Sequence, residues 1–158
     1  MVSAWRIVRG EFADAPFSGI GAELYGGRWN SPGRRVAYAA GSLALAAMET
    51  LVHLPYPAPP QFHELCNFQA FQIEFEENLL ATVAAETLPF NWDTQPPPPS
   101  AQAIGNLWLE KRNSMALEVP STLVPMESNY LINPSHPSFV GCKVTGPTPF
   151  VFDQRFRH

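Results

Sequence analysis

The stretch Val36-Ala37-Tyr38-Ala39-Ala40-Gly41-Ser42-Leu43-Ala44-Leu45-Ala46-Ala47-Met48-Glu49-Thr50-Leu51-Val52-His53-Leu54 reads as a strand, a cap and a helix, in that order. Val36 to Ala39 is a short apolar run of strand length. Ser42 offers a side-chain oxygen to the unpaired N–H groups that open a helix. The helix it starts, Leu43 to Leu54, consists mostly of good helix formers, and Pro55 stops it. Apolar residues lie all round this helix, which predicts that it is mostly buried. Glu49 breaks the pattern, as the only Asp, Glu, Lys or Arg between Val36 and His63. Ser42, Leu45, Ala46, Val52 and His53 are its neighbours on a helical wheel. A carboxylate there is partly buried, which is costly unless it is paired or hydrogen-bonded. A structural ion pair, or a helix edge that reaches water, accounts for it as well as a functional acid does.

Upstream, Trp5 to Arg9 alternates like a strand. Gly19, Gly21, Gly26 and Gly27 suggest a loop that bends tightly or approaches a ligand. Arg28 lies in Gly26-Gly27-Arg28-Trp29-Asn30-Ser31. A guanidinium there can grip a phosphate or carboxylate with two parallel hydrogen bonds, and Trp29 offers a stacking face. An isolated Gly-Gly-Arg is better read as a turn with a surface arginine. Tyr38 taken alone is a core tyrosine. Neither a Gly-x-Gly-x-x-Gly fingerprint nor a Walker P-loop is present.

Downstream, Phe68 to Phe75 alternates as a strand, and Asn78 to Ala85 is ambiguous between helix and strand. Ser100 caps a second helix, Ala101 to Arg112, with Ile104, Leu107, Trp108 and Lys111 at helical spacing. Met115 to Val119, Tyr130 to Ile132 and Pro149 to Phe152 read as strands. Prolines gather at Pro55 to Pro60, at Pro96 to Pro99 and from Pro120 onward, marking loops and strand boundaries. Strands mixed with two or three helices, without regular βαβ alternation, favour a mixed α/β (α+β) domain over a doubly wound sheet.

The 158 residues are the size of one ordinary domain. A net charge of −4 argues against non-specific nucleic-acid binding. Charged residues make up 15%, well under the usual quarter, so the chain hides much of its surface or sits against a partner. Cys66 and Cys142 lack metal-ligand spacing and fit a reduced, cytoplasmic setting. The start of the chain does not read as a signal peptide, and no stretch reads as a membrane span. The four histidines form no metal or triad pattern.

In order, Gly26-Gly27-Arg28-Trp29-Asn30, Tyr38, Glu49 within Ala46 to His53, Val119-Pro120-Ser121, Asn129 to Pro137 and Phe150 to Arg155 resemble the RES domain, named for its arginine, glutamate and serine. RES proteins are the toxin halves of bacterial RES–Xre toxin–antitoxin pairs. The resemblance implies one RES domain over residues 1–158, with a fold similar to diphtheria-toxin-like ADP-ribosyltransferases: a central, mostly antiparallel sheet with flanking helices. It implies an enzyme that consumes NAD as substrate, by hydrolysis or phosphorolysis at the nicotinamide–ribose bond or by ADP-ribosylating a protein. It carries over Arg28, Tyr38, Glu49 and Ser121 as the active-site set, with further ligand contacts expected from Trp29, Asn30 and Asn133 and no metal. Glu49 would stabilise an oxocarbenium-like state, Arg28 would clamp the pyrophosphate or nearby ribose, Tyr38 would stack on the nicotinamide, and Ser121 would hydrogen-bond a phosphate or ribose. The implied partner is an Xre-like antitoxin that blocks the NAD cleft, in a homodimer or a larger toxin–antitoxin assembly. A catalytically dead module that only pairs with an antitoxin is the reading from another class. No motif aligns over Asn78 to Pro99.

Overall fold

A computed structural model describes residues 1–54 and 65–157. Seven strands form one sheet: β1 (Val2–Arg9), β2 (Ala37–Ala40), β3 (Phe68–Phe75), β4 (Leu80–Thr82), β5 (Ala116–Pro120), β6 (Ser128–Ile132) and β7 (Lys143–Phe150). Their order across the sheet is β4-β5-β6-β2-β1-β3-β7. Every pairing is antiparallel except β4 with β5. The α-helices are α1 (Ile20–Tyr25), α2 (Leu43–Val52) and α3 (Pro99–Lys111). The mixed α/β architecture with a mostly antiparallel sheet is the one the sequence implies.

Alternation along the strands assigns the two sheet faces. Ala4, Val8, Ala37, Ala39, Phe71, Ile73, Phe75, Ala116 and Ile132 point one way and pack with Phe17 and Met115. The opposite face carries two clusters. Ile7, Ala40, Phe68 and Ala70 meet Leu45 and Ala46 of α2. Val36, Leu117, Val119 and Leu131 meet Trp29 together with Ala101 and Trp108 of α3. Both longer helices therefore share one face of the sheet, and Tyr38 lies on that face between Val36 and Ala40.

Several expectations need correction. Gly19 to Gly27 is not all loop. Ala22, Glu23 and Leu24 support a short helix, α1, bounded by Gly19 and Gly26. Helix α2 is less buried than its composition suggests: Leu45 and Ala46 are buried, whereas Met48 is 45% and Val52 57% exposed. Only its Leu45–Ala46 side faces the sheet. Its cap is as read, with Ser42 Oγ accepting from Leu45 N at 3.1 Å. The expected stop at Pro55 and the proline loop to Pro60 lie outside the described residues.

Helix α3 begins at Pro99, not after a Ser100 cap. Proline suits a first helical position because its missing N–H would be unpaired there. Ser100 Oγ instead donates to Asn91 Oδ1 at 3.1 Å. The buried stripe of α3 is Ala101, Gly105 and Trp108, and Leu107 is half exposed. The ambiguous segment resolves into 3-10 turns on either side of β4. The last strand is Lys143–Phe150, earlier than Pro149 to Phe152. Pro147 and Pro149 obscure it in the sequence, yet an edge strand tolerates them because one side of its backbone needs no partner. Phe152 turns inward, with its ring edge-on to Phe68 at 5.1 Å.

Candidate active site

Arg28 sits in a tight turn closed by a hydrogen bond from Gly27 N to Asn30 O at 2.9 Å. Three features of the sequence hold that turn against the sheet and α3. Tyr38 projects from β2 into it: its hydroxyl donates to Asn30 Oδ1 at 2.6 Å and accepts from Trp29 N at 3.1 Å. A Cβ on Gly27 would lie 2.6 Å from that hydroxyl, so only glycine leaves room for it. From α3, Gln102 Nε2 donates to Gly27 O at 3.1 Å, and Asn106 exchanges two hydrogen bonds with Ser31. Gln102 and Asn106 are four apart and so share a helix face, on which Gly105 lies with its backbone against the Trp29 carbonyl. Gly105→Ala would drive a methyl into that carbonyl. It is expected to cost about 1–3 kcal/mol of stability, read as a lower Tm, and to displace the Arg28 turn.

Burial pushes the Tyr38 phenol well above its ordinary value, and the bond from Trp29 and the Arg28 charge only partly oppose this. The hydroxyl keeps its proton at neutral pH and can go on donating to Asn30. Arg6 braces the strand from behind, its Nη1 donating to Tyr38 O at 2.6 Å. Burial lowers the Arg6 guanidinium to about 10, so it stays charged near neutrality. Tyr38→Phe leaves Asn30 Oδ1 and Trp29 N unpaired and is expected to cost about 1–3 kcal/mol, measurable by denaturant unfolding.

The segment after β4, which carried no readable motif, cradles Arg28. Nη1 donates to Trp92 O at 2.9 Å and Thr94 O at 2.7 Å, and Nη2 donates to Gln95 Oε1 at 2.8 Å. A guanidinium has five N–H groups. Nε–H and one Nη2–H therefore remain without a partner among the described residues, a pair suited to two oxygens of one anion. Burial lowers the Arg28 pKa foremost, and Asp93, Glu49 and Tyr38 act in the opposite sense. Glu49 is thus near enough for its charge to act on Arg28.

Glu49 projects from α2 toward β6 and the loop after β5. Its Oε1 accepts from Asn129 Nδ2 at 2.6 Å and from Ser121 Oγ at 3.1 Å. No protein donor among the described residues reaches Oε2. The carboxylate is held by neutral donors, not by the arginine ion pair considered from sequence. Asn129 was not singled out in the sequence. The available signal was its alternation with Leu131, which puts a polar side chain on the helix-covered face of β6.

Four residues expected to contact ligand have other partners in this structure. Trp29 is 2% exposed and stacks on Trp92 at 5.9 Å, so it presents no free face to a ligand in this conformation. Asn30 is fully buried, its amide donating to Ala22 O and Ser31 O inside the turn. Ser121 is fully buried too, and its hydroxyl also accepts from Leu123 N and Val124 N. Its hydroxyl is thus shared between Glu49 and the backbone of its own loop. Asn133 follows the far end of β6 from Asn129, where Oδ1 accepts from Ser135 N at 3.0 Å. It does not join Glu49. Among the described residues, no group of three or more His, Cys, Asp or Glu could hold a metal ion, and no helix is long and apolar enough to cross a membrane.

The family model for the RES domain matches residues 3–153, and this arrangement of Arg28, Tyr38, Glu49 and Ser121 falls within it. The chain belongs to the RES domain family. Among RES relatives, "Toxin Res" of Yersinia enterocolitica is 42% identical, over 97% of this chain and 98% of its own length. The "Prs ADP-ribosylating toxin" of a Sphingobium species is 38% identical, over 97% of this chain and 95% of its own. A solved structure of similar fold is the M. tuberculosis MbcT–MbcA toxin–antitoxin complex. Its matched chain has a TM-score of 0.76 at 17% identity, covering 95% of this RES chain and 84% of that one.

Proposed function

We propose that this protein is the toxin of a toxin–antitoxin pair and that it breaks the nicotinamide–ribose bond of NAD, draining the cell of NAD and arresting growth. The observation that carries this reading is that two incompletely used groups lie near enough for the charge of one to act on the other. Among the described residues, Glu49 has one oxygen held and the other without a protein donor, and Arg28 has two N–H groups without an acceptor. Loss of nicotinamide develops positive charge on the ribose ring, and a fixed carboxylate stabilises that charge without reorganising. Arg28 binds the pyrophosphate or nearby ribose. Tyr38, its hydroxyl committed to the turn, offers its ring to the nicotinamide. This chemistry goes with assigning the sheet and its helices to the ADP-ribosyltransferase-like class, as one domain acting in the cytoplasm.

A toxin of this kind needs a neutraliser in its host, and an Xre-like antitoxin that covers the cleft is the partner proposed. Tyr25 at 84%, Phe90 at 99% and Met126 at 98% exposure belong to the segments that carry or cradle Arg28 and Ser121. Exposed apolar side chains around a cleft suit a protein partner.

The relative named as an ADP-ribosylating toxin favours a second reading, transfer of ADP-ribose to a protein. NAD labelled in its adenine half, incubated with the protein and a bacterial lysate, separates the two. Label recovered as free ADP-ribose, or its phosphorylated form, supports degradation. Label retained on a protein band supports transfer.

A further inference from the structure

We propose that Asn129 is a positioning residue that aims the Glu49 carboxylate at the substrate ribose, an inference that rests on the NAD-cleaving reading above. Asn129 Nδ2 donates to Glu49 Oε1 at 2.6 Å, the shorter of the two bonds to that oxygen. Residue 129 lies near the start of β6, with Ala40 and Val119 as its cross-strand partners. Its side chain therefore rises from the middle of a three-strand platform, whereas Glu49 hangs from a helix whose buried contacts are Leu45 and Ala46. The sheet, through the shorter bond from Asn129 and together with Ser121, fixes the torsion of a carboxylate that the helix alone would leave free to rotate. Because both donors take Oε1, Oε2 is the oxygen presented to the ligand.

Asn129 Oδ1 is buried and has no hydrogen-bond partner among the described residues. Buried polar atoms are almost always paired, and the exceptions concentrate where a site needs them. The orientation of the amide is set by its neighbour, because the reverse flip would point Oδ1 at the carboxylate and repel it. The orientation that faces the N–H to Glu49 therefore leaves the carbonyl end without a protein donor among the described residues.

The test uses the full chain carrying Asn129→Ala or Asn129→Asp, each confirmed folded by circular dichroism. Asn129→Ala is expected to lower kcat for NAD loss at least tenfold with KM changed less than threefold. A carboxylate left with only the longer bond from Ser121 loses aim rather than affinity. Asn129→Asp keeps the shape but places a second carboxyl against Glu49. Like charges at that distance share a proton, so the acid limb of the kcat–pH profile should move up by more than one pH unit. Carbon-13 NMR titration of the Glu49 carboxyl, identified by its absence in Glu49→Gln, should show the same upward move in Asn129→Asp.

Wild-type kcat in Asn129→Ala, or a Glu49 titration that does not respond to Asn129→Asp, overturns the proposal. Loss of activity through a raised KM alone also overturns it. An unmodified protein that leaves NAD intact defeats the NAD-cleaving reading, and the aiming role with it. The NMR titration would then still report whether Asn129 holds Glu49.

Discussion

Glu49→Gln is expected to lower the rate of NAD consumption by at least about a hundredfold, the size of effect seen when one preorganised electrostatic group is removed from a transition state. The substitution keeps the volume and leaves Oε1 as an acceptor for Asn129 and Ser121. The fold should therefore survive, and the Tm should fall little. What disappears is negative charge on the free oxygen, the feature assigned to the charge-developing ribose. Rates measured with NAD well above KM isolate the chemical step. A variant that turns over like the unmodified protein would remove Glu49 from the mechanism.

If expression of this protein without an antitoxin arrests growth, as proposed, Arg28→Ala is expected to relieve the arrest. Losing a charge-assisted, two-pronged contact costs about 1.5–3 kcal/mol, or about ten- to a hundredfold in NAD turnover. The substitution also frees Trp92 O, Thr94 O and Gln95 from their shared donor, so the cradle loosens and the loss falls at the upper end. Arg28→Lys should restore little, because one ammonium cannot satisfy three acceptors and still present two parallel N–H groups. Colony counts after induction check both variants, with protein level confirmed. Persistent toxicity of Arg28→Ala would count against the scheme.

The architecture was legible where local pattern and tertiary burial agree. Ser42 announced α2, and the alternation of Phe68 to Phe75 announced β3 residue for residue. It was illegible where neighbours in space decide. Lys143–Phe150 is a strand because β3 pairs with it, although its prolines argue otherwise. Nothing in the sequence marks Gly105, whose backbone α3 presses on Trp29.

The site divided in the same way. Glu49 stood out because a lone charge in an apolar helix must be accounted for. Arg28 and Tyr38 gained meaning only through spacing and resemblance, and the structure adds that Tyr38 anchors the turn bearing Arg28. Trp29 and Asn30, expected to contact ligand, are buried in this structure, because sequence shows which residues are near, not which way they face. Trp92 to Gln95 were invisible, since two of the three acceptors they give Arg28 are backbone carbonyls, available to any residue type.

The most direct test of the central claim is mass spectrometry of NAD incubated with the purified protein, with and without inorganic phosphate. Cleavage at the nicotinamide–ribose bond predicts free nicotinamide in both cases, with ADP-ribose from water as acceptor or its phosphorylated form when phosphate attacks. NAD recovered intact, or cut at its pyrophosphate, would contradict the account.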